Sequence, residues 1–371
     1  MVNPWPESDS AVMAPVEEHD ELRQVVRSVL TKHADHESVR AAADSELGYS
    51  QKLWRLLNDE LEISGLAVPE ELGGSGYGVR ELCVLLEETG AALLPEPVLT
   101  SAVLGCQALA AADDPAAVED QLSSALRGAV VTLAPPASEL PAAEKAEGGR
   151  WEVTGTLRRL PHGAAADSIV VRAVTAEGPV MLLVERADVH VTSLTAVDLT
   201  RRQVGLRLAS EPARLLVGPK RAGGVLERLD LLARAAVAAE HAGIVGELLD
   251  RTVEFATGRE QFGRPIGSFQ AIKHRLADVL LDRERARSAA RYAATAIDHD
   301  PASAPLAVAV ASSVCADAAL RAAHEAVQIH GGLGFTWEHR AHYYLRRVLG
   351  DEGLYGQSRG QRAVIADLVG V

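Results

Sequence analysis

The chain has 371 residues, 47% of them hydrophobic, and a formal net charge of -14. That length supports two or three domains or one large multilayer unit. An acidic balance excludes nucleic-acid backbone binding as the main business, because such proteins need basic stripes. With aromatic residues at only 4%, the core is built from Ala, Leu and Val, which suits closely approaching helices.

The opening MVNPWPESDSAVMAPVEEHDEL has no basic segment followed by an apolar run, so no signal peptide is read there. Helical spacing predicts helices over residues 18–32, 53–66, 79–94, 99–112 and 115–128. In the second of these, Leu53, Leu56, Leu57 and Leu61 share one face; the third stops before Pro95. These segments form an expected N-terminal helical domain, residues 1–127. At Ala129 the period changes to two: AVVTLAP, RWEVTGTLRRL, SIVVRAV, VMLLVE and VHVTSL are short, β-branched and separated by turn residues. Residues 128–219 read as a small antiparallel β-domain. From Ala222 long alanine-rich helices return, over about 223–262, 271–297 and 304–332, with a terminal helix near 360–370. Residues 220–371 therefore read as a C-terminal four-helix bundle. The fold class is mainly α with a small β-domain.

Cys83, Cys106 and Cys315 lie far apart in apolar contexts without metal-ligand spacing, so they read as buried thiols and no metal is expected. No apolar run is read as long enough to span a membrane, and a cytoplasmic protein is expected. The stretch QIHGGLGFTWEHRAHYYLRR (328–347) raises a separate question. Gly331, Gly332 and Gly334 interrupt a helical pattern, and each costs roughly 1 kcal/mol against alanine inside a helix. Glycines there let a backbone end a helix, or let N–H groups approach an anion with no Cβ in the way.

Three stretches in order, GLAVPEELGGSGYGVRELCVLLEETGAALLPEPVLTSAVL (65–104), FATGREQFGRPIGSFQAIKHRLADV (255–279) and the 328–347 segment, resemble the acyl-CoA dehydrogenase family. The likeness is greatest to actinobacterial members, some of which assemble from two different homologous subunits. The resemblance implies FAD as cofactor, an acyl-CoA substrate oxidised between its α and β carbons, a carboxylate base, and an electron-transferring flavoprotein as acceptor. It further implies that Arg259, Gln270 and the run Gln328 to Gly332 reach across a subunit interface to the adenosine and diphosphate of a neighbour's FAD. The chemistry suits those roles: a guanidinium fork binds diphosphate, amides of Gln270 and Gln328 match adenine or ribose edges, and Gly331 and Gly332 expose backbone donors. Arg259 could equally cap a helix end, and the glycine pair could be a plain C-cap. Phe262 is a further candidate cofactor contact, although Phe262 and Phe269 read first as core around the loop. His330 reads as structural.

The chain departs from the family in three places. The run VTLAPPASELPAAEKAEGG (131–149) lacks the Thr/Ser-Glu-Pro and Gly-Ser-Asp segments that hold the flavin ring and thioester. After GTLRR the segment RLPHGAAADSIVV lacks the flavin-facing hydroxyl, leaving His162 or backbone groups as substitutes. The two family positions for the base fall on Tyr355 or Gly356 and on Ala233, none of them a carboxylate. Glu240, two turns beyond Ala233, is the weak substitute, with pairing to His241 or an arginine as the plainer role; Asp351 and Glu352 read as solvated charges. The resemblance then implies a subunit that clamps FAD for a homologous partner in a heterotetramer, in a branch acting on bulky thioesters such as steroid side chains. The alternatives are a self-sufficient homo-oligomer with Glu240 as displaced base, a flavin-free structural homologue, and an enzyme acting on a carrier-protein thioester.

Overall fold

The structure is a computed structural model that describes residues 14, 16–136, 140–146 and 149–371. Most of the opening stretch read for a signal peptide, and residues 137–139 and 147–148 of the segment read as a polar loop, lie outside the described residues. The N-terminal helices are α1 (Glu17–His33), α2 (His36–Asp44), α3 (Gln51–Leu61) and α4 (Val79–Ala91). Asp35 caps α2 by accepting from the Ser38 N–H at 2.7 Å, and Ser50 caps α3 through the Leu53 N–H at 3.2 Å. Periodicity did not announce α2, whose nine residues are alanine-rich and short.

The single helix expected over 99–112 is instead a π-helix, Val98–Gly105, followed by α5 (Cys106–Ala110). The wide turn lies against the first strand. Ser101 Oγ accepts from the Val131 N–H at 2.9 Å, and a Cβ on Gly105 would sit 2.1 Å from the Val131 carbonyl. A short 3-10 turn leads into α6 (Glu119–Leu126).

The strands are β1 (Val131–Leu133), β2 (Ala142–Lys145), β3 (Trp151–Pro161), β4 (Ser168–Thr175), β5 (Gly178–Glu185), β6 (His190–Ser193) and β7 (Gln203–Val217). Their pairings close a ring, β4–β2–β3–β7–β5–β4, with β1 added on β4 and β6 on β7. The sheet is mostly antiparallel, as expected, but β1 and β2 both run parallel to β4. The chain thus runs beside β4 in β1 and again, in the same direction, in β2. A strand count from sequence carries no such register.

Three long helices follow: α7 (Pro219–Gly258), α8 (Gln270–His299) and α9 (Ala304–His330). Two shorter ones, α10 (Ala341–Tyr355) and α11 (Ser358–Val369), complete the chain, with α10 unannounced by the sequence. Pro219 at the first helical position pre-sets α7. From Leu229 to Leu249 α7 is buried on nearly every side, because α4, β5, α8, α9 and α10 all pack on it. Alanines such as Ala235, Ala239, Ala290 and Ala319 allow these close approaches. At the α4–α7 crossing the backbones touch: a Cβ on Gly243 would lie 1.9 Å from the Glu87 carbonyl oxygen, and one on Gly90 2.5 Å from that of Glu240. The segment Ala304–Phe335 has the length and mean hydropathy, 1.5, of a membrane span, contrary to the sequence expectation. In the fold it is a core helix, with 67% of that apolar window buried.

Glu96 is buried in the helical layer, where its Oε1 accepts from the Ser50 N–H at 3.0 Å. Burial pushes its carboxyl up to about 7. The folded chain therefore holds this proton more tightly than the unfolded chain does, and stability falls as pH rises through the window from about 4.5 to about 7. Glu96→Gln is expected to stabilise the fold by roughly 3 kcal/mol above pH 7, and by almost nothing at pH 4, in paired denaturant titrations. Equal gains at both pH values would refute the assignment.

Candidate functional site

Because α7 and α9 run one way and α8 returns, the C-terminus of α7, the N-terminus of α8 and the C-terminus of α9 share one end of the bundle. The Phe255 ring on α7 stacks on His330 at the end of α9, centroids 4.2 Å apart. His330 is buried, hydrogen-bonds the Ala326 carbonyl through Nδ1 at 2.7 Å, and is lowered in pKa by burial, so it is a packing residue.

Arg259 closes α7: its N–H donates to the Phe255 carbonyl at 2.9 Å, while its side chain is exposed. A two-residue hairpin follows, with strands β8 (Glu260–Gln261) and β9 (Arg264–Pro265). Phe262 and Gly263 form its turn, both in the left-handed region, at φ 56° and 74°. That conformation is costly for a phenylalanine. Phe262 is not core, as first read: it is 92% exposed at the turn tip. The half-buried Phe269 meets Phe262 edge-on, centroids 6.2 Å apart, and carries the Arg264 guanidinium 4.0 Å over its face.

Gln270 opens α8 and Gln328 lies in the last turn of α9, both exposed. Among the described residues, no side-chain hydrogen bond engages Arg259, Gln270 or Gln328. The three glycines separate into different cases. Gly334 is required by its own chain, since a Cβ would lie 2.8 Å from the Val327 carbonyl. Gly331 ends α9 at φ 60°, ψ -136°, a conformation other residues avoid. Gly332 has neither reason: a Cβ there would meet nothing within 4 Å. The loop is open to solvent, and beside it Leu333, Phe335 and Trp337 are exposed at 47%, 75% and 52%.

The interior differs sharply. Ala233 is buried in α7, and Gly356 follows α10 with no side chain to offer. Glu240 is 3% exposed, and both its oxygens accept from Arg201 Nη2, at 2.7 and 2.8 Å. Arg201, from the β6–β7 connection, also pairs with Asp351, whose other oxygen faces His241 Nε2 at 3.3 Å. Arg347 donates to Asp198 at 2.7 Å, to Thr200 Oγ1 at 2.7 Å and to the Leu94 carbonyl at 3.0 Å. Asp351 is thus not a solvated charge: it is 1% exposed. Burial pushes its carboxyl up, but Arg201 and His241 outweigh this and hold it below the usual carboxylate range. Burial likewise opposes the charge on Arg201, while Asp351 and Glu240 keep it firmly protonated.

His162 faces no open space. It is buried at φ 54°, between Thr100 Oγ1 and the Pro95 carbonyl, each at 2.9 Å, and burial lowers it to about 4. A cavity of about 690 Å³ does lie between residues 134–136 and 140–142, β3 and the end of α10, lined by Thr154, Thr156, Arg158, Arg159 and Gly353. An arginine partner for Glu240 was the plainer reading of the sequence, but its identity as Arg201 and the place of Asp351 and Arg347 in the set went unread. The available signals were Glu240–His241 inside an alanine run and the Arg347–Asp351 pair at i,i+4 spacing.

A family model for the acyl-CoA dehydrogenase N-terminal domain matches residues 16–128, and one for the acyl-CoA dehydrogenase C-terminal domain matches residues 225–370. The chain belongs to the acyl-CoA dehydrogenase family. Acyl-CoA dehydrogenase IpdE2 of Mycobacterium tuberculosis is 34% identical over 94% of this chain and 96% of the relative. Among solved structures, the ChsE4-ChsE5 complex from Mycobacterium tuberculosis matches with TM-score 0.89 and 32% identity, over 96% of this chain and 98% of that one. The Tcur3481-Tcur3483 steroid ACAD matches with TM-score 0.86 and 30% identity, over 95% and 98%.

Removing one carboxylate from the buried lattice leaves Arg201 under-compensated. In this acyl-CoA dehydrogenase homologue, Glu240→Gln is expected to cost on the order of 3–5 kcal/mol of stability, read as a lower denaturant midpoint. A cost below about 1 kcal/mol, the range of exposed ion pairs, would contradict the burial described.

Proposed function

We propose that this chain is the FAD-clamping subunit of a heteromeric acyl-CoA dehydrogenase, which α,β-desaturates an acyl-CoA thioester while a homologous partner subunit holds the flavin ring and the catalytic base. One contrast carries the reading: an open bundle end with free donors, beside an interior where Glu240, Asp351 and Asp198 are locked in ion pairs. The residues present fit the adenosine and diphosphate end of FAD. Arg259 supplies a fork for the diphosphate, Gln270 and Gln328 supply amides for the adenine or ribose, and the pair Gly331–Gly332 lets the backbone approach with no Cβ in the way, with Gly332 as the donor, since the Gly331 N–H turns back to the Val327 and Gln328 carbonyls. Phe262, held out by the hairpin, supplies an apolar face.

The residues do not fit the chemical end. Where the family resemblance puts the ring and the base, this chain offers Arg158 and Arg159, a sealed His162, Ala233 and Gly356. Bound flavin supplies the redox chemistry, and this chain's part is to grip, orient and exclude water. The likeness to a two-component complex and to a steroid enzyme favours a bulky acyl group and a heterotetramer, and the family resemblance favours an electron-transferring flavoprotein as acceptor. Glu240 as displaced base is disfavoured by its double hydrogen bond to Arg201.

The test is purification of the chain alone and together with a homologous subunit. Little flavin absorbance alone and a yellow, active complex are expected; a yellow lone chain that turns over acyl-CoA would favour the homo-oligomer, and a colourless complex the flavin-free homologue. Within the complex, Arg259→Ala is expected to weaken flavin retention roughly tenfold to a hundredfold, the loss of hydrogen bonds to a charged group worth about 1.5–3 kcal/mol. Unchanged flavin occupancy during dialysis would remove Arg259 from the clamp.

A further inference from the structure

A second polar cavity, about 590 Å³, lies on another face, between α1, α4, α7 and α8. Its floor is the α4–α7 crossing, and its walls carry six arginines and five carboxylates. Most of these charges are matched. Arg23 pairs with Glu87 and Glu88 at 2.7 and 2.9 Å, Arg27 with Glu88 at 2.8 Å, Arg251 with Glu247, and Arg283 with Asp250 at 3.6 Å. Asp35 is committed to capping α2.

Two guanidiniums are left over among the described residues. Arg287 on α8 has no ion pair. Arg340, only 9% exposed, has Glu247 no nearer than 3.9 Å and a single long hydrogen bond, 3.4 Å, to the Ala34 carbonyl. Its Nε is buried without a partner, as is Nε2 of His36, which lines the same cavity at the start of α2. With an idle Nε, Glu247 no nearer than 3.9 Å and the capping Asp35 as its other facing carboxylate, the buried Arg340 guanidinium is under-compensated, and folded proteins rarely leave one so. The surroundings report the same excess of positive charge. His36 is lowered to about 4, by burial first and then by Arg340, Arg40 and His339; Glu338 is the opposing contact. Arg291 is lowered too, by burial first; Glu87 opposes this, and Arg287 and Arg23 add to the lowering.

From this leftover charge we infer that the cavity is a binding site for a small oxyanion, a phosphate or a carboxylate, held by Arg340 and Arg287 with His36 beside it. The site is separate from the flavin clamp, and either reading can fail without the other. Inorganic phosphate and citrate are the probes, titrated into the full-length chain by calorimetry, with His36 followed by NMR. Saturable binding is expected at millimolar concentration or below, and the His36 titration should move up from about 4 towards its ordinary value as the anion fills. Arg340→Gln should weaken binding at least tenfold. Should that variant fail to fold, the less buried Arg287→Gln serves, with a smaller loss expected. A response to phosphate alone or to citrate alone assigns the oxyanion. No saturable binding of either, unmoved His36, or wild-type affinity in Arg287→Gln would overturn the site.

Discussion

Three parts of this chain meet on one set of buried charges. Arg201 leaves the barrel, Glu240 and His241 sit mid-way along α7, and Asp351 and Arg347 belong to α10, while Asp198 and Thr200 complete the set. Taking such charges out of water costs several kcal/mol each, repaid only where geometry and further hydrogen bonds are good. Here nearly every member has two or more partners, so the position of each element is fixed by the others. The same arrangement bears directly on chemistry. A carboxylate that must remove a proton needs an approachable oxygen and a pKa near the working pH. Glu240 has both oxygens turned to Arg201, and Asp351 is held strongly ionised by its neighbours.

The bundle end shows the opposite economy. Among the described residues Arg259, Gln270 and Gln328 make no side-chain hydrogen bond, the loop is open and a phenylalanine stands in solvent on a strained turn. Exposed apolar groups beside unpaired donors mark a surface made to be covered. Sealed interior and open edge are the two features on which the proposed clamp role rests.

Much of this was legible in the residues. Long alanine-rich helices and the switch to period two at Ala129 could be read from local pattern, whereas Arg259, Gln270, Gln328 and the glycine pair were singled out by the family resemblance. The misreadings came where tertiary contact decides. Asp351 sits in RRVLGDEG, a stretch that looks like surface; only the arrival of Arg201 from 150 residues away makes it core. Phe262 looked like core by composition, and the left-handed turn turns it outward. The parallel pairing of β1 and β2 with β4 depends on how the chain loops back, and no strand's own sequence records it. Alternation and helical spacing report which face of an element is apolar, never which distant charge will meet it.

The contact between α4 and α7 carries a mechanical consequence. Two helices separated by side chains can slide or tilt by a few tenths of an ångström as rotamers change. At Gly90 and Gly243 main chain lies on main chain, and nothing deformable intervenes. The amino-terminal layer and the bundle are pinned like two beams sharing a bolt. Any adjustment to a bound molecule would then fall to that molecule or to the hairpin tip, with the body of this polypeptide as the fixed template.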